Sequence, residues 1–336
     1  MIENYCKIMS HCGTKLGFTP RILVVAPDCY LESYQNLLHD IDQIEVTFVE
    51  PDQQAIISSV KGHHALIACP RNMFSKEVVK SAEDTLMWVH NLGAGSKDFI
   101  IPELVYSDIV FTNGKIIQGP ECADHALALL LALTRRLNLV QQGTPYNQLP
   151  RPIELRGKTA VIIGVGGIGQ CIAERVKGFG MKVIGVNGDY IPMINSVDKI
   201  VPPESLHQVL AEADVVFMSA PYTDESEGVL DDKAFDVMLK KPYLVNVSRG
   251  KTIDTASLVR ALESEKITAC GIDVTDPEPL PDDHILRSMN NVIVTPHIAG
   301  LSDHNRERSW ILMKDNIKRF AEGKPLFNIV EKKLGY

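Results

Sequence analysis

Short, continuously apolar runs recur along this chain with helix-like segments between them, and that alternation limits the fold more than any single residue does. Arg21–Val25, Glu45–Val49, 65–69, 86–90 and 108–111 make a first series; Thr159–Ile163, 182–187, 214–219, 243–247, 268–273 and 291–295 make a second. The runs show little polar alternation, as expected of parallel strands buried on both faces. Amphipathic segments such as 205–211 and 255–265 lie between them. Strand–helix alternation predicts a doubly wound α/β sheet, and two series predict two sheets. A chain of 336 residues agrees, being too long for one ordinary core.

Between the series, 121–139 reads as one helix, apolar nearly all round and therefore buried; bridging two domains or forming a subunit contact are further roles open to it. A polar stretch bearing Pro and Gly, 141–152, follows as an exposed loop. The last amphipathic helix, 303–322, could return to the first domain and make it discontinuous. Composition narrows the partners. With 45% apolar and 23% charged residues the chain has average globular make-up, and its net charge of -8 disfavours nucleic acid and anionic membranes. No stretch approaches the roughly 20 apolar residues needed to span a bilayer, and residues 1–19 lack a signal-peptide core. Seven cysteines, an odd number with no CxxC pair, predict reduced thiols in a cytoplasmic protein without a zinc or other metal site.

The run Thr159–Ile163 leads directly into Gly164-Val165-Gly166-Gly167-Ile168-Gly169 and then a helix-like segment. A G-x-G-x-x-G alone is a weak signal, but strand, tight turn and helix are the context in which it binds a dinucleotide. Gly164 permits the turn, Gly166 lets backbone approach a pyrophosphate, and Gly169 lets helix and strand pack closely, with the helix N-terminus stabilising phosphate charge. The next strand should end on an acid that holds the adenosine ribose. Asn187 stands there instead, followed by Gly188 and Asp189. Without that acid NADP is not repelled, yet no Arg or Lys at 188–191 would pair with its phosphate and Asp189 could reach the ribose. The expected cofactor is NAD or NADP, with a lean to NAD.

Three further motifs follow later strands, at the ends where open α/β sheets place their chemistry. Ser248-Arg249-Gly250 follows 243–247. Asp276-Pro277-Glu278-Pro279 follows 268–273, and Pro296-His297-Ile298-Ala299-Gly300 follows 291–295. Taken singly, Arg249 reads as a surface charge, Glu278 as a turn residue and His297 as a satisfied loop histidine. Together, downstream of a dinucleotide turn, they can converge as a reacting constellation. At these residues the chain resembles the D-isomer-specific 2-hydroxyacid dehydrogenase family, over about residues 22–336. The resemblance implies that Arg249 binds the substrate carboxylate and polarises the keto oxygen, that His297 donates the proton and that Glu278 is its carboxylate partner. It implies cofactor contacts at Asp273, which would hold the nicotinamide carboxamide, and at Pro221, Ser248, Ala299 and Gly300. It also points to the loop Leu92-Gly93-Ala94-Gly95, where backbone N–H groups of Ala94 and Gly95 would cradle the carboxylate, although an ordinary glycine turn reads the same way. The chain departs from the family pattern at Ser96-Lys97-Asp98. Glu278 also sets it apart from the formate dehydrogenases, which carry Gln at that place. The residue types suit the chemistry: when hydride adds to a keto carbon, negative charge grows on oxygen and needs a cation and a proton donor.

Other candidates have plainer readings: His63-His64 as a solvated pair, Cys171 as a small buried residue, Trp88 and Trp310 as core or pocket wall, Arg71 as a surface charge. The expectation is thus two doubly wound parallel-sheet domains with a cleft between them. A Rossmann cofactor domain would cover 119–299, and a flavodoxin-like substrate domain 1–118 with 300–336. The resemblance implies a homodimer acting on a small 2-keto acid, with glyoxylate and hydroxypyruvate first, because the Gly93-Ala94-Gly95 loop resembles glyoxylate/hydroxypyruvate reductases. The rival is a nicotinamide-sensing regulatory protein of the same fold, like a transcriptional corepressor.

Overall fold

The computed structural model describes residues 17–82, 84–188 and 195–335. The expectations for Asp189 and for Cys6 and Cys12 fall outside these residues. The chain divides into two compact units, Met1–Ile117 with Asp303–Tyr336, and Gln118–Ser302.

The first unit is a five-stranded, all-parallel sheet in the order β2-β1-β3-β4-β5, where β1 is Arg21–Val25, β2 Glu45–Val49, β3 Ala65–Ile67, β4 Trp88–Asn91 and β5 Val110–Asn113. Pairing decides the edges that hydropathy blurred. Ala65 lies opposite Trp88 and Trp88 opposite Val110, so the last two strands begin two residues later than the expected 86–90 and 108–111. The strand expected at 65–69 stops at Ile67, because Ala68 takes a left-handed φ of 59°. The helix Asn305–Ala321 belongs to this unit. Met313, Ile317 and Phe320 pack with Ile22, Val24, Ala65, Ile67 and Trp88, the Trp88 and Phe320 rings 5.3 Å apart. Burying each such side chain contributes roughly 1.5–3 kcal/mol. Beyond that helix, Ile329 makes an antiparallel bridge to Thr112, covering the free edge of β5. Lys332 then donates to the carbonyls of Leu104, Ser107 and Ile109 at 2.9, 2.6 and 2.9 Å.

The second unit is a seven-stranded, all-parallel sheet in the order β12-β11-β10-β9-β6-β7-β8. Its strands are β6 Thr159–Ile163, β7 Lys182–Val186, β8 Lys199–Val201, β9 Val215–Met218, β10 Tyr243–Asn246, β11 Ala269–Ile272 and β12 Val292–Val294. Both sheets are thus the doubly wound, parallel α/β kind. The three-residue β8 was not foreseen, since so short an edge strand carries no periodicity. The chain order turns back between β6 and β9, which puts a topological switch point beside the end of β6. The helix expected over 121–139 is a correction: it runs Gly119–Thr134, breaks, and resumes as Leu137–Gln141. Arg136 sits at the break with φ 64°, a left-handed conformation that cannot continue a right-handed helix. Burial follows the first segment alone, where Ala126, Leu129, Leu130 and Leu133 are buried, whereas Leu137 and Val140 are about half exposed. Among the described residues no helix is long and apolar enough to cross a membrane, and no group of three or more His, Cys, Asp or Glu is placed to hold a metal.

His90, on β4, gives the first unit an acid sensitivity. It is 1% exposed, and its Nδ1 lies 2.7 Å from the Thr112 hydroxyl, which also accepts from Trp88 Nε1. Burial pushes its pKa from the usual 6.5 down to about 3. Below pH 6.5 an unfolded chain takes up a proton that the folded one refuses until about pH 3, so stability falls as pH drops through that window. The slope approaches one proton, about 1.4 kcal/mol per pH unit. In denaturant titrations between pH 7 and 4, wild type should lose stability relative to His90→Gln as pH falls; curves that stay parallel would show that His90 does not titrate this way.

Candidate active site

The C-terminal edge of the seven-stranded sheet gathers the residues singled out by sequence. β6 leads into Gly164, whose φ of 88° is left-handed and where a Cβ would lie 2.4 Å from the Ala220 Cα. A Cβ on Gly169 would lie 2.1 Å from the Gly164 carbonyl oxygen. These two positions need glycine because backbone passes backbone there. Gly166 is different. It is exposed, it precedes the helix Gly167–Gly178 with no side chain capping that helix, and a Cβ on it would meet nothing within 4 Å. Gly167 and Ile168 begin the helix, with Ile168 packed against the core. Helix N–H groups therefore open onto free space, the arrangement that receives a phosphate. Asn187 closes the same turn, its Oδ1 accepting from Val165 N–H at 3.1 Å. Pro221, beyond β9, is exposed, and its carbonyl accepts from the Ser226 hydroxyl at 2.7 Å.

Arg249, Glu278 and His297 follow β10, β11 and β12, three neighbouring strands. The turn after β10 is internally tied: Asn246 Nδ2 and the Thr252 hydroxyl both donate to the Arg249 carbonyl, at 3.0 and 2.7 Å. Ser248 is buried and its hydroxyl donates to Asn246 Oδ1 at 2.9 Å, so this side chain serves the turn. The partly buried Arg249 guanidinium donates to the Ser248 carbonyl at 2.6 Å. A Cβ on Gly250 would lie 2.0 Å from the Thr275 carbonyl, so glycine brings the turn after β10 against the segment leading to Glu278. Glu278 Oε1 lies 2.6 Å from His297 Nδ1, with each side chain between a third and a half exposed. An ionised carboxylate only accepts, so Nδ1 carries a proton and Nε2 is left for substrate chemistry.

His297 has a left-handed φ of 56°, which its surroundings must enforce. Asp273, 1% exposed, does so. Its Oδ1 accepts from the Thr295 hydroxyl at 2.6 Å and Ile298 N–H at 2.9 Å, its Oδ2 from Ala299 N–H at 2.8 Å, and its own carbonyl from His297 N–H at 2.9 Å. Gly300 closes the segment: Gln118 Nε2 donates to its carbonyl at 3.2 Å, and a Cβ there would lie 2.8 Å from that nitrogen. Asp273 thus braces the loop that carries His297, a part that its expected carboxamide contact did not include.

In the first unit, the loop after β4 is held by two asparagines that nothing in motif spacing marks. Asn91 Nδ2 donates to the carbonyls of Gly93 and Gly95 at 3.0 and 2.7 Å, and Asn113 Nδ2 to that of Ala94 at 2.6 Å. Because a trans peptide sets N–H opposite C=O, drawing in the Gly93 and Ala94 carbonyls turns the Ala94 and Gly95 N–H groups the other way. The two asparagines face each other in the β4–β5 register, which only the folded sheet reveals. Ser96 departs from the family pattern and hydrogen-bonds the Gly335 carbonyl.

The remaining candidates are structural. His63 and His64 are not a solvated pair: both are half-buried, and His64 Nδ1 accepts from Arg21 N–H at 2.9 Å. Burial lowers both pKa values. Cys171 is half-buried and its thiol is raised by burial, while Cys122 is pushed up to about 12, so neither supplies a thiolate. Trp88 is core, Trp310 packs on Tyr34, and Arg71 is an exposed charge beside Asp98.

Residues 127–299 match the family model described as D-isomer specific 2-hydroxyacid dehydrogenase, NAD binding domain. Glyoxylate reductase of Pyrococcus furiosus is 30% identical over 314 residues, 89% of this chain and 92% of that one. The chain belongs to the D-isomer specific 2-hydroxyacid dehydrogenase family. Glyoxylate reductase of Korarchaeum cryptofilum is 30% identical over 84% of this chain and 87% of its own. Among solved structures, a family protein from Aeromonas salmonicida aligns with a TM-score of 0.76 at 26% identity, covering 94% of this chain and 99% of that one. The protein is therefore an NAD(P)-dependent oxidoreductase acting on 2-hydroxy and 2-keto acids.

Gly250 tests how the dehydrogenase assembles its strand ends. Gly250→Ala must push two backbone segments apart, and overpacking of this kind costs on the order of 3 kcal/mol. The variant should unfold at clearly lower denaturant and lose most turnover; unchanged stability and turnover would show that the turns do not need this approach.

Proposed function

We propose that this dehydrogenase reduces glyoxylate and hydroxypyruvate to the 2-hydroxy acids, in the D configuration where the product is chiral, with Arg249, Glu278 and His297 as its reacting groups. The observation that carries the reading is the 2.6 Å hydrogen bond between His297 Nδ1 and Glu278 Oε1, on strand ends next to that of Arg249 and on the sheet edge that also bears the glycine turn. The names of the Pyrococcus and Korarchaeum relatives support the substrate choice. The open space at Gly166, beside an uncapped helix N-terminus, fits a dinucleotide pyrophosphate, with Gly164, Gly167, Ile168, Gly169 and Asn187 shaping the turn. Bound nicotinamide cofactor supplies or accepts the hydride.

The remaining steps belong to the chain's own side chains. Arg249 offers a planar fork of donors to the substrate carboxylate and a positive charge to the keto oxygen, where negative charge grows during reduction. His297 Nε2 gives that oxygen its proton and takes it back in the reverse direction. Glu278 holds Nδ1–H, fixes the ring and stabilises its cation. Ala94 and Gly95 N–H groups are assigned to the carboxylate, Asp273, Ala299, Gly300, Ser248 and Pro221 to the cofactor's surroundings. We assign the cofactor domain to 119–299 and the substrate domain to 1–118 with 300–336. The lack of Arg or Lys in the sequence at 188–191 supports NADH over NADPH. Half-exposed Leu137 and Val140 support a homodimer, and the cysteine pattern a cytoplasmic setting.

Steady-state assays with glyoxylate, hydroxypyruvate and pyruvate decide the substrate, and should show turnover on the first two with kcat/KM higher for NADH than for NADPH. A strong NADPH preference contradicts the cofactor assignment. No turnover on any keto acid, with NADH still bound, would instead favour the nicotinamide-sensing reading. His297→Asn should lower kcat by about 10²–10⁴ with NADH affinity nearly intact, and Arg249→Lys should be poorly tolerated. Full activity in either variant removes that residue from the chemistry.

A further inference from the structure

We infer that His125, on the helix Gly119–Thr134, is a positioning residue for His297, acting through Thr295 and Asp273. The inference rests on the reading of His297 as the proton donor. His125 Nε2 lies 2.9 Å from the Thr295 hydroxyl oxygen and 3.4 Å from Asp273 Oδ1. Donor accounting sets the direction. Thr295 has one hydroxyl proton, and it goes to Asp273 Oδ1 at 2.6 Å, so towards His125 the oxygen can only accept and His125 Nε2 must carry N–H. The Asp273 side chain is wholly shielded from solvent, and a carboxylate there depends on its donors. Among the described residues its short ones come from 295–299, the segment that holds His297 in its left-handed conformation. His125 is a donor that ties this cluster to a different element.

That element packs close. A Cβ on Gly271 of β11 would lie 2.9 Å from Leu129 Cβ, so the helix rests directly on the strand that ends at Asp273. Just ahead of the same helix, Gln118 donates to the Gly300 carbonyl. The helix thus clips the His297 segment at both ends, His125 at Thr295 and Gln118 at Gly300. Loss of the His125 clip should let the segment shift relative to Glu278, lowering turnover while leaving substrate and cofactor affinity in place.

The test compares wild type with His125→Leu, which removes the donor, and His125→Gln, whose Nε2 can replace it. With glyoxylate as substrate, His125→Leu should lower kcat about 10- to 100-fold, the scale of a small misplacement of a reacting group. KM and NADH affinity should stay within about twofold, and His125→Gln should recover most of the loss. Thr295→Val should show the same defect, Thr295→Ser should not, and the His125→Leu/Thr295→Val double variant should be no worse than either alone. In the chain without cofactor, amide exchange over 295–300 should be at least about tenfold faster in His125→Leu than in His125→Gln. If His125→Leu fails to fold, the Thr295→Val and Thr295→Ser pair with His125→Gln still decides. Equal kcat and exchange in the Leu and Gln variants, or additive losses in the double variant, overturn the inference. Wild type without turnover on any keto acid fails the functional reading instead. Active wild type, inactive His297→Asn and a fully active His125→Leu fail this inference alone.

Discussion

A carboxylate shut away from water at the end of β11 is the constraint on which the rest of the site depends. An ionised group so placed is tolerated only where hydrogen-bond donors surround it. Asp273 draws its donors from the hydroxyl of Thr295 and the backbone of Ile298 and Ala299, so solvating the charge and shaping the loop are one event. The loop cannot relax without stripping the charge of its partners. His297 therefore keeps a left-handed φ that a histidine left to itself would avoid, and its ring meets Glu278 in a single hydrogen bond.

Around that anchor the sheet does the gathering. Parallel strands with helical crossovers send all their C-terminal ends to one edge, so residues dozens of positions apart in sequence become neighbours. Glycine is placed where two of those ends must touch: Gly164 against Ala220, and Gly250 against Thr275. The same edge thus carries an uncapped helix N-terminus and, on strands further along, the Arg249 guanidinium and the hydrogen-bonded Glu278–His297 pair.

Much of this was legible in sequence, for physical reasons. Strands buried on both faces write uninterrupted apolar runs, and Arg21–Val25, Glu45–Val49 and Thr159–Ile163 emerge with the ends expected. Arg249, Glu278 and His297 could be placed on successive strand ends because polar residues directly after such runs have few other places to go. What stayed hidden depends on long-range pairing. Asn91 and Asn113 shape the 93–95 loop only because β4 and β5 bring them side by side. His125 looks like one polar residue on a buried helix until Thr295, 170 positions later, folds against it. Hydropathy also carried the helix past Thr134, since the left-handed turn at Arg136 leaves no mark on apolar periodicity. Ser248 was expected at the cofactor from resemblance alone, and that its hydroxyl closes its own turn shows only in the folded chain.

The central claim is that Glu278 and His297 hold and release one proton as a unit. The direct measurement is kcat for keto-acid reduction in Glu278→Gln, His297→Asn and the double variant. Glu278→Gln keeps the shape of the side chain and removes its charge, so it should lower kcat, and the double variant should be no worse than His297→Asn alone. Losses that add in the double variant, or wild-type kcat in Glu278→Gln, would contradict the pairing.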